Sequence, residues 1–497
     1  MTRPLHACLA AAMASFALGG APALAQELAQ DQDTLEIGRS AQTAHSGAFN
    51  GEEVRYDALV EESLLPGPDG APGAGLVTTS YVRTDSGEPA GERPVLFLFN
   101  GGPGASTTPL HFGAFGPKRR VELDEGEQYI VDNPFSPLND VDLVFIDPVG
   151  TGYSQPVEDG QAFWSRTGDA QSVARVIGSW LERHGRTDSP RYLLGQSYGT
   201  IRAAEIVRLA PELEFDGVLL FALVGGGRDE LIGHVTDLPS MAATAWYHER
   251  AGRDGRPVEE VYADAVEFAR TDYVTALMLG GALPEARREA MAERLSAMTG
   301  LEADAIAAQN LRISKRDFIF GLLEDEGLRT GRLDTRATAR LDAPAQRPPY
   351  DDPGLSYVPA ADIPDIACPA PDCLQAPGEE SIVDVYYQDV LGYDAPGDYN
   401  ALNLEVNGAW DYEDRGDPIP ALAEAMHARP DLRLFWAAGY FDLATTAYGG
   451  RFTLDQAGIP ADRLTAAYFK SGHSVFVGED NLEALSEAVR DFTAPSE

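Results

Sequence analysis

At 497 residues with 44% apolar composition, the chain can bury two or three average cores, or one α/β core with a large insertion, and its composition argues against disorder. Its 78 acidic residues against 38 basic ones give a formal net charge of −40. Such a surface repels phosphate backbones and anionic lipid, which excludes nucleic acid and the membrane surface as partners.

Residues 1–25 read as a secretory signal peptide: Arg3 gives a positive start, Leu9 to Leu18 an Ala-rich apolar stretch, and Ala23-Leu24-Ala25 a cleavage site after about Ala25. The apolar stretch is too short for an anchor, and no later apolar run approaches the ~20 residues that span a bilayer. The mature chain is therefore expected to be exported, periplasmic or secreted, with no membrane insertion. Cleavage removes Cys8 and leaves Cys368 and Cys373 in Cys-Pro-Ala-Pro-Asp-Cys. In an oxidising compartment such a pair points to one short-loop disulfide. A zinc site would need two more ligands, and no histidine lies nearby in sequence, so neither metal nor cofactor is expected. The oligomeric state is left open.

Residues 26–50 are polar and without period, and read as a loose N-terminal arm. From Glu53 the residues Val54, Tyr56, Ala58 and Val60 fall on one face, as in a half-buried strand. Leu65 to Gly75 is turn material, and Leu76 to Val82 is a second strand. Pro94 to Phe99 is a continuous apolar run of the kind buried in a central parallel sheet. It ends in Asn100-Gly101-Gly102-Pro103-Gly104-Ala105-Ser106-Thr107. This loop lacks the lysine of a phosphate loop and the spacing of a dinucleotide fingerprint. After a central strand it suits instead the presentation of backbone N–H groups to a developing oxyanion.

Asp142 to Ile146 is another buried strand, leading into Asp147-Pro148-Val149-Gly150-Thr151-Gly152-Tyr153-Ser154, and an amphipathic helix follows over Ala170 to Arg183. Next comes Tyr192-Leu193-Leu194-Gly195-Gln196-Ser197-Tyr198-Gly199, an apolar strand running into Gly-x-Ser-x-Gly and then a helix through Ala203, Ile206 and Val207. A sharp strand-to-helix turn crowds the residues two before and two after its apex, which favours glycine at both. It also lifts the serine hydroxyl clear of the sheet at a helix N-terminus. Phe215 to Leu223 is the next strand. From 225 to 396 the strand rhythm stops and helical stretches dominate (Ser240–Arg250, Pro257–Leu279, Leu283–Met298, Leu301–Ala308, Lys315–Leu322), then a Pro-, Asp- and Gly-rich passage. The core resumes over 397–497 with a helix near Ile419 to His427, strands at Leu432–Ala437 and Leu464–Tyr468, and a helix from Asn481 to Phe492. The expected architecture is an α/β-hydrolase fold: a doubly wound, mostly parallel sheet over 51–224 and 397–497 with a mainly helical cap inserted at 225–396.

A serine hydroxyl needs a histidine base held in one tautomer by a carboxylate. Asp442 follows the strand ending at Ala437, and His473 follows the strand at Leu464 to Tyr468. The order Ser197, Asp442, His473 is that of α/β-hydrolases. Of the other histidines, His111 lies near the glycine-rich loop and reads as packed, and His184, His234, His248 and His427 read as structural.

In five places the chain resembles the serine carboxypeptidase-like peptidases, in an exported bacterial form. These are Asn100-Gly101-Gly102-Pro103-Gly104-Ala105-Ser106, Phe145-Ile146-Asp147-Pro148-Val149-Gly150-Thr151-Gly152-Tyr153-Ser154, Gly195-Gln196-Ser197-Tyr198-Gly199, Gly439-Tyr440-Phe441-Asp442 and Ser471-Gly472-His473. The resemblance implies Ser197 as nucleophile, His473 as base and Asp442 as orienting acid. It implies the N–H groups of Gly102 and Tyr198 as oxyanion hole, and Asn100, Gly101 and the residue at 196 as the binding site for a peptide's terminal carboxylate. Two family glutamates are replaced, by Gln196 and by Ala114. The cysteine and tryptophan usual near the asparagine are replaced by Ala105 and by Leu98 or Phe99. The expectation is an exported serine peptidase of carboxypeptidase type. The alternatives are an esterase or acyltransferase on the same triad, and a non-catalytic binding protein of hydrolase fold.

Overall fold

A computed structural model describes residues 34–67, 70–122, 128–225, 230–344, 346–355, 374–375, 381–412 and 417–494. The expected signal peptide and the Cys368/Cys373 pair lie outside the described residues.

The strands are β1 Ile37–Phe49, β2 Glu52–Pro66, β3 Pro72–Arg83, β4 Val95–Phe99, β5 Lys118–Glu122, β6 Gln128–Asp132, β7 Asp142–Ile146, β8 Gln155–Pro156, β9 Arg191–Gln196, β10 Gly217–Phe221, β11 Leu328–Thr330, β12 Thr338–Arg340, β13 Leu374–Gln375, β14 Arg433–Gly439 and β15 Leu464–Phe469. The main sheet runs β1-β2-β3-β7-β4-β9-β10-β14-β15, with β8 against β3. The first three pairings along this order and the β3–β8 pairing are antiparallel, and the others are parallel. This is the α/β-hydrolase fold. The parallel strands β4, β7 and β10 are buried at every position, covered on both faces, which is why they read as unbroken apolar runs.

Helices α1 Arg166–Arg183 and α2 Tyr198–Leu209 flank the sheet. Ser165 caps α1 by accepting from the Gly168 N–H at 3.0 Å, and Val173, Val176, Ile177 and Trp180 form its buried face. At the other end of the chain α9 Glu479–Thr493 turns Leu482, Leu485, Val489 and Phe492 inward, Phe492 packing on Phe435 at 5.6 Å. Each such side chain contributes roughly 1.5–3 kcal/mol by burial. In the second half of the core, α7 Ile419–Ala428 and α8 Ala447–Ala457 precede and follow β14. The cap's larger helices are α3 Glu230–Tyr247, α4 Val258–Phe268, α5 Glu285–Thr299 and α6 Lys315–Gly321. They share a separate apolar cluster around Leu238, Met241, Phe268, Tyr273, Leu295 and Phe318.

The structure departs from the sequence reading in five places. Much of the expected arm is β1, which pairs with β2 from Ala41↔Val60 to Phe49↔Glu52. As a sheet edge it buries only Phe49, so its period is faint. The turn is Asn50-Gly51, both at positive φ (51° and 83°), the pairing favoured in tight hairpins. The expected turn Leu65–Gly75 shrinks because β2 and β3 extend to Pro66 and Pro72. The basic run Lys118-Arg119-Arg120, which from the sequence reads as a solvated loop, is the start of β5, paired with β6; Arg119 is buried and ion-paired with Glu479 at 3.6 Å. Helix α3 begins at Glu230 and runs through Pro239, rather than starting at Ser240. Finally, the cap contains the β11–β12 hairpin, while Ile382, Tyr386, Tyr387 and Tyr393 join the core cluster of β2, β3 and β7, although they precede the expected boundary at 396.

Candidate active site

Loops leaving the carboxyl ends of β4, β7, β9, β14 and β15 converge, as expected of a site in an open α/β sheet. Ser197 sits between β9 and α2 at φ 59°, ψ −128°. A non-glycine residue rarely adopts this conformation, and the surroundings hold it there. A Cβ at Gly195 would run into the Gly199 carbonyl, and one at Gly199 would lie 2.9 Å from the Phe99 carbonyl. The Ser197 N–H donates to the Phe221 carbonyl at 2.9 Å, fixing the turn to the neighbouring strand.

His473 and Asp442 meet across two loops: His473 Nδ1 lies 2.8 Å from Asp442 Oδ2. Asp442, 1% exposed, also accepts from the Ala444 N–H at 2.7 Å, the Thr445 N–H at 3.0 Å and the Thr445 hydroxyl at 2.7 Å. Thr445 Oγ1 lies 3.1 Å from His473 Nδ1 as well. These donors fix the carboxylate. With Nδ1–H given to Asp442, Nε2 is the ring atom left to act as base. The His473 side chain is 15% exposed, and Ser197 is half-buried.

Gln196 joins the turn bearing Ser197 to the glycine-rich loop and to the loop of His473. It is 2% exposed; its Oε1 accepts from Asn100 Nδ2 at 2.8 Å, and its Nε2 donates to the His473 carbonyl at 3.1 Å. Asn100 Oδ1 accepts from the Leu110 N–H at 3.2 Å. Gly101 packs against the turn so closely that a Cβ there would run into the Tyr198 backbone nitrogen. Gly102 is exposed, with φ 101°. Gly101 and Tyr198 thus face one another at the apex, with Gly102 next to Gly101 along the loop. Ala114 is fully buried, and its carbonyl accepts from Asn133 Nδ2 at 2.8 Å.

Two buried ionic groups support the glycine-rich loop. Asp147, whose carboxyl is pushed up by burial, accepts from the Thr107 N–H and hydroxyl at 2.8 and 2.7 Å and from the Tyr399 hydroxyl at 2.8 Å. A Cβ at Gly152 would collide with that carboxylate, which explains a glycine of the Asp147–Ser154 stretch. Arg202 on α2, 1% exposed, donates to the Asn100 carbonyl at 2.5 Å and to Asp169 at 2.7 Å, and lies over the Phe99 and Tyr198 rings. Segment 400–403 closes the loop's outer side. The Asn403 N–H donates to the Gly104 carbonyl at 2.7 Å, and Asn403 Nδ2 to the Gly150 carbonyl at 2.8 Å. Trp410 sets its ring edge-on to Tyr198 at 5.2 Å.

Sequence reading passed over Thr445, Arg202, Asp147 and Asn403. The Asp442-x-x-Thr445 spacing, a carboxylate bonding backbone two and three residues on, is a local signal for Thr445; the others act over long range. The remaining described histidines bond to residues other than Ser197, Asp442 and His473. His111 stacks on Phe112 and Phe145 and bonds the Tyr81 hydroxyl at 2.7 Å, and burial pushes it down to about 3. His184 meets Glu61, and His234, His248 and His427 meet backbone carbonyls.

Fold and loops together are those of an α/β-hydrolase. Within it, residues 77–210 match the family model for serine carboxypeptidases. Among curated proteins, serine carboxypeptidase-like 36 of Arabidopsis thaliana is 29% identical over 120 residues, 24% of each chain. Serine carboxypeptidase ctsa-3.2 of Caenorhabditis elegans is 25% identical over 176 residues, 33% of each chain. The matches thus span about a quarter to a third of those relatives' length. Among solved structures, a prohormone-processing carboxypeptidase of Saccharomyces cerevisiae aligns over 88% of this chain and 91% of its own, at 15% identity and a TM-score of 0.49. No helix of the described residues is long and apolar enough to cross a membrane.

Proposed function

We propose that the protein is an exported serine peptidase that cleaves short peptides from the C-terminus through an acyl-enzyme on Ser197. The observation that carries this is the 2.8 Å bond between Asp442 and His473 Nδ1, with the loop of His473 tied by Gln196 to the turn bearing Ser197. In this reading His473 Nε2 takes the Ser197 proton as Oγ attacks the scissile carbonyl. The oxyanion draws on the N–H groups of Gly102 and Tyr198, and the imidazolium returns the proton to the leaving amine. Water, deprotonated by His473, then attacks the ester carbonyl and frees Ser197. Each oxyanion donor of this kind is worth roughly 3–4 kcal/mol of barrier.

The substrate's terminal carboxylate is assigned to the Asn100–Gln196 amide pair with Gly101. An amide donates at any pH, unlike a carboxyl group, so activity is expected to persist at neutral pH. A second reading, esterase or acyltransferase, is favoured by one observation: buried Ala114 offers no hydrogen-bonding side chain where the family has a glutamate. Fluorophosphonate labelling of Ser197 and a panel of blocked dipeptides beside short acyl esters test both readings. Turnover of dipeptides at pH 7 is the expected result. Ester turnover alone would transfer the conclusion to the second reading, and no labelling would leave a non-catalytic binding protein.

A further inference from the structure

The cap reaches the catalytic loops through the turn joining β11 to β12. The Leu443 N–H donates to the Arg332 carbonyl at 3.0 Å, and the Thr335 N–H and hydroxyl donate to the Phe441 carbonyl at 3.0 and 3.1 Å. On the other side the His473 N–H donates to the Leu333 carbonyl at 2.7 Å, and Arg336 Nη1 to the Lys470 carbonyl at 2.8 Å. One short turn therefore holds both the acid loop and the base loop by their backbones. Beyond Gly439 and Phe469, where β14 and β15 end, the two loops keep, among the described residues, only two direct backbone bonds, from the Tyr440 N–H to the Phe469 carbonyl and from the Phe441 N–H to the Ser471 carbonyl, each at 3.0 Å, and the turn braces both loops past that point, at Leu443 and at His473.

The turn is shaped by Asp352, only 8% exposed. Its carboxylate accepts from the Arg332 N–H at 3.1 Å, the Leu333 N–H at 3.2 Å and the Gly354 N–H at 2.9 Å. The packing has no slack: a Cβ at Gly331 would strike the Asp334 carbonyl, one at Gly354 the Asp334 nitrogen, and one at Gly472 the Leu333 carbonyl. From behind, Thr335 is tied to α3 by the Thr244 hydroxyl at 2.6 Å, and its carbonyl meets Nε2 of His248, just past the end of α3, at 2.8 Å.

We propose that this turn is a clamp setting the mutual position of Asp442 and His473, and that Asp352 is the positioning residue that keeps it closed. The consequence for turnover rests on the serine peptidase reading; the geometric consequence does not. A displacement of the base by an ångström costs about a hundredfold in rate.

The test compares Asp352→Asn and Gly472→Ala with wild type as full-length mature chains. Two readouts are followed: the low-field NMR resonance of the His473 Nδ1 proton shared with Asp442, and kinetics on a blocked dipeptide. The clamp predicts that the resonance broadens or disappears in both variants, and that Ser197 labelling and kcat fall together by about ten- to a hundredfold. KM should stay within about twofold, since the amide pair at Asn100 and Gln196 is untouched. A wild-type resonance and wild-type kcat in folded variants overturn the clamp. If Asp352→Asn does not fold, Thr335→Val decides, because it removes only the hydroxyl bonds; a drop of about fivefold in kcat is expected, and none refutes. A wild type that shows the resonance but does not label refutes the peptidase reading, while the resonance in the variants still decides the clamp.

Discussion

Replacing Gln196 by glutamate would place a titrating group where a neutral amide now stands. Gln196 accepts from Asn100 Nδ2 at 2.8 Å and donates to the His473 carbonyl at 3.1 Å, at 2% exposure. A protonated glutamic acid can copy both bonds, accepting through one oxygen and donating through the other. The anion cannot, because a carboxylate oxygen would face the His473 carbonyl with no proton between them. A lost bond to a buried charged group costs about 2–3 kcal/mol. At about 1.36 kcal/mol per unit, this lifts the carboxyl by roughly 2 units, from about 4.3 to about 6. The sign follows: the raised group favours its protonated form in the folded site, so Gln196→Glu keeps the working arrangement at low pH and loses it as pH rises through about 6. The ratio of kcat/KM, variant to wild type on one blocked dipeptide, should be near one at pH 5 and about tenfold lower at pH 7. A ratio flat from pH 5 to 7.5 would refute the argument that this amide bridge supports the base.

Three further outcomes are expected. Gly101→Ala pushes a methyl group into the Tyr198 nitrogen, and should cost about 10²–10³ in kcat with a smaller change in KM, measured by steady-state kinetics. Asp442→Asn removes the acceptor that fixes the His473 tautomer and should lower kcat by about 10⁴, with the folding transition little changed. His111, ordinarily near 6.5, is pushed down to about 3 by burial. Its neutral form therefore contributes stability that is fully present above about pH 6.5 and lost as pH falls toward 3. Between pH 6.5 and 5 that loss is about 2 kcal/mol. Urea denaturation at pH 7.5 and 5 should show His111→Phe less acid-sensitive than wild type by this amount; equal sensitivity would refute the burial argument.

What sequence could reveal depended on how each part is buried. The strands at Asp142 to Ile146 and Val95 to Phe99 are covered on both faces, so burial writes itself as uninterrupted apolar runs with sharp ends. Strand β1 buries one residue and shows its others to solvent, and only Asn50-Gly51 marked it locally. The segment 382–399 joins the core largely through tyrosines, whose hydroxyls find partners such as Thr79, Tyr81 and Asp147, so its apolar pattern is diluted. The candidate site residues Ser197, Asp442 and His473 stood out because each follows a legible strand at a fixed point of the topology. Their supports did not. Arg202 and the turn at Arg332–Arg336 act through carbonyls and N–H groups a hundred or more residues away, and Asp147 acts through Thr107, 40 residues back, and the Tyr399 hydroxyl; such partners leave no local mark.

The glycines at 101, 195, 199, 439 and 472 all meet backbone atoms of neighbouring loops where a Cβ would stand. The chemical face of the molecule is therefore assembled main chain against main chain, with the side chains hung on it afterwards. For anyone wishing to redirect this protein to other substrates, that separates the molecule into two kinds of position. Exposed residues such as Tyr412, Tyr247 and Val224 decorate the scaffold and can be varied in libraries at small cost to folding. The five glycines are the scaffold, and a library that touches them would select for collapse of the site before it selected for a new specificity.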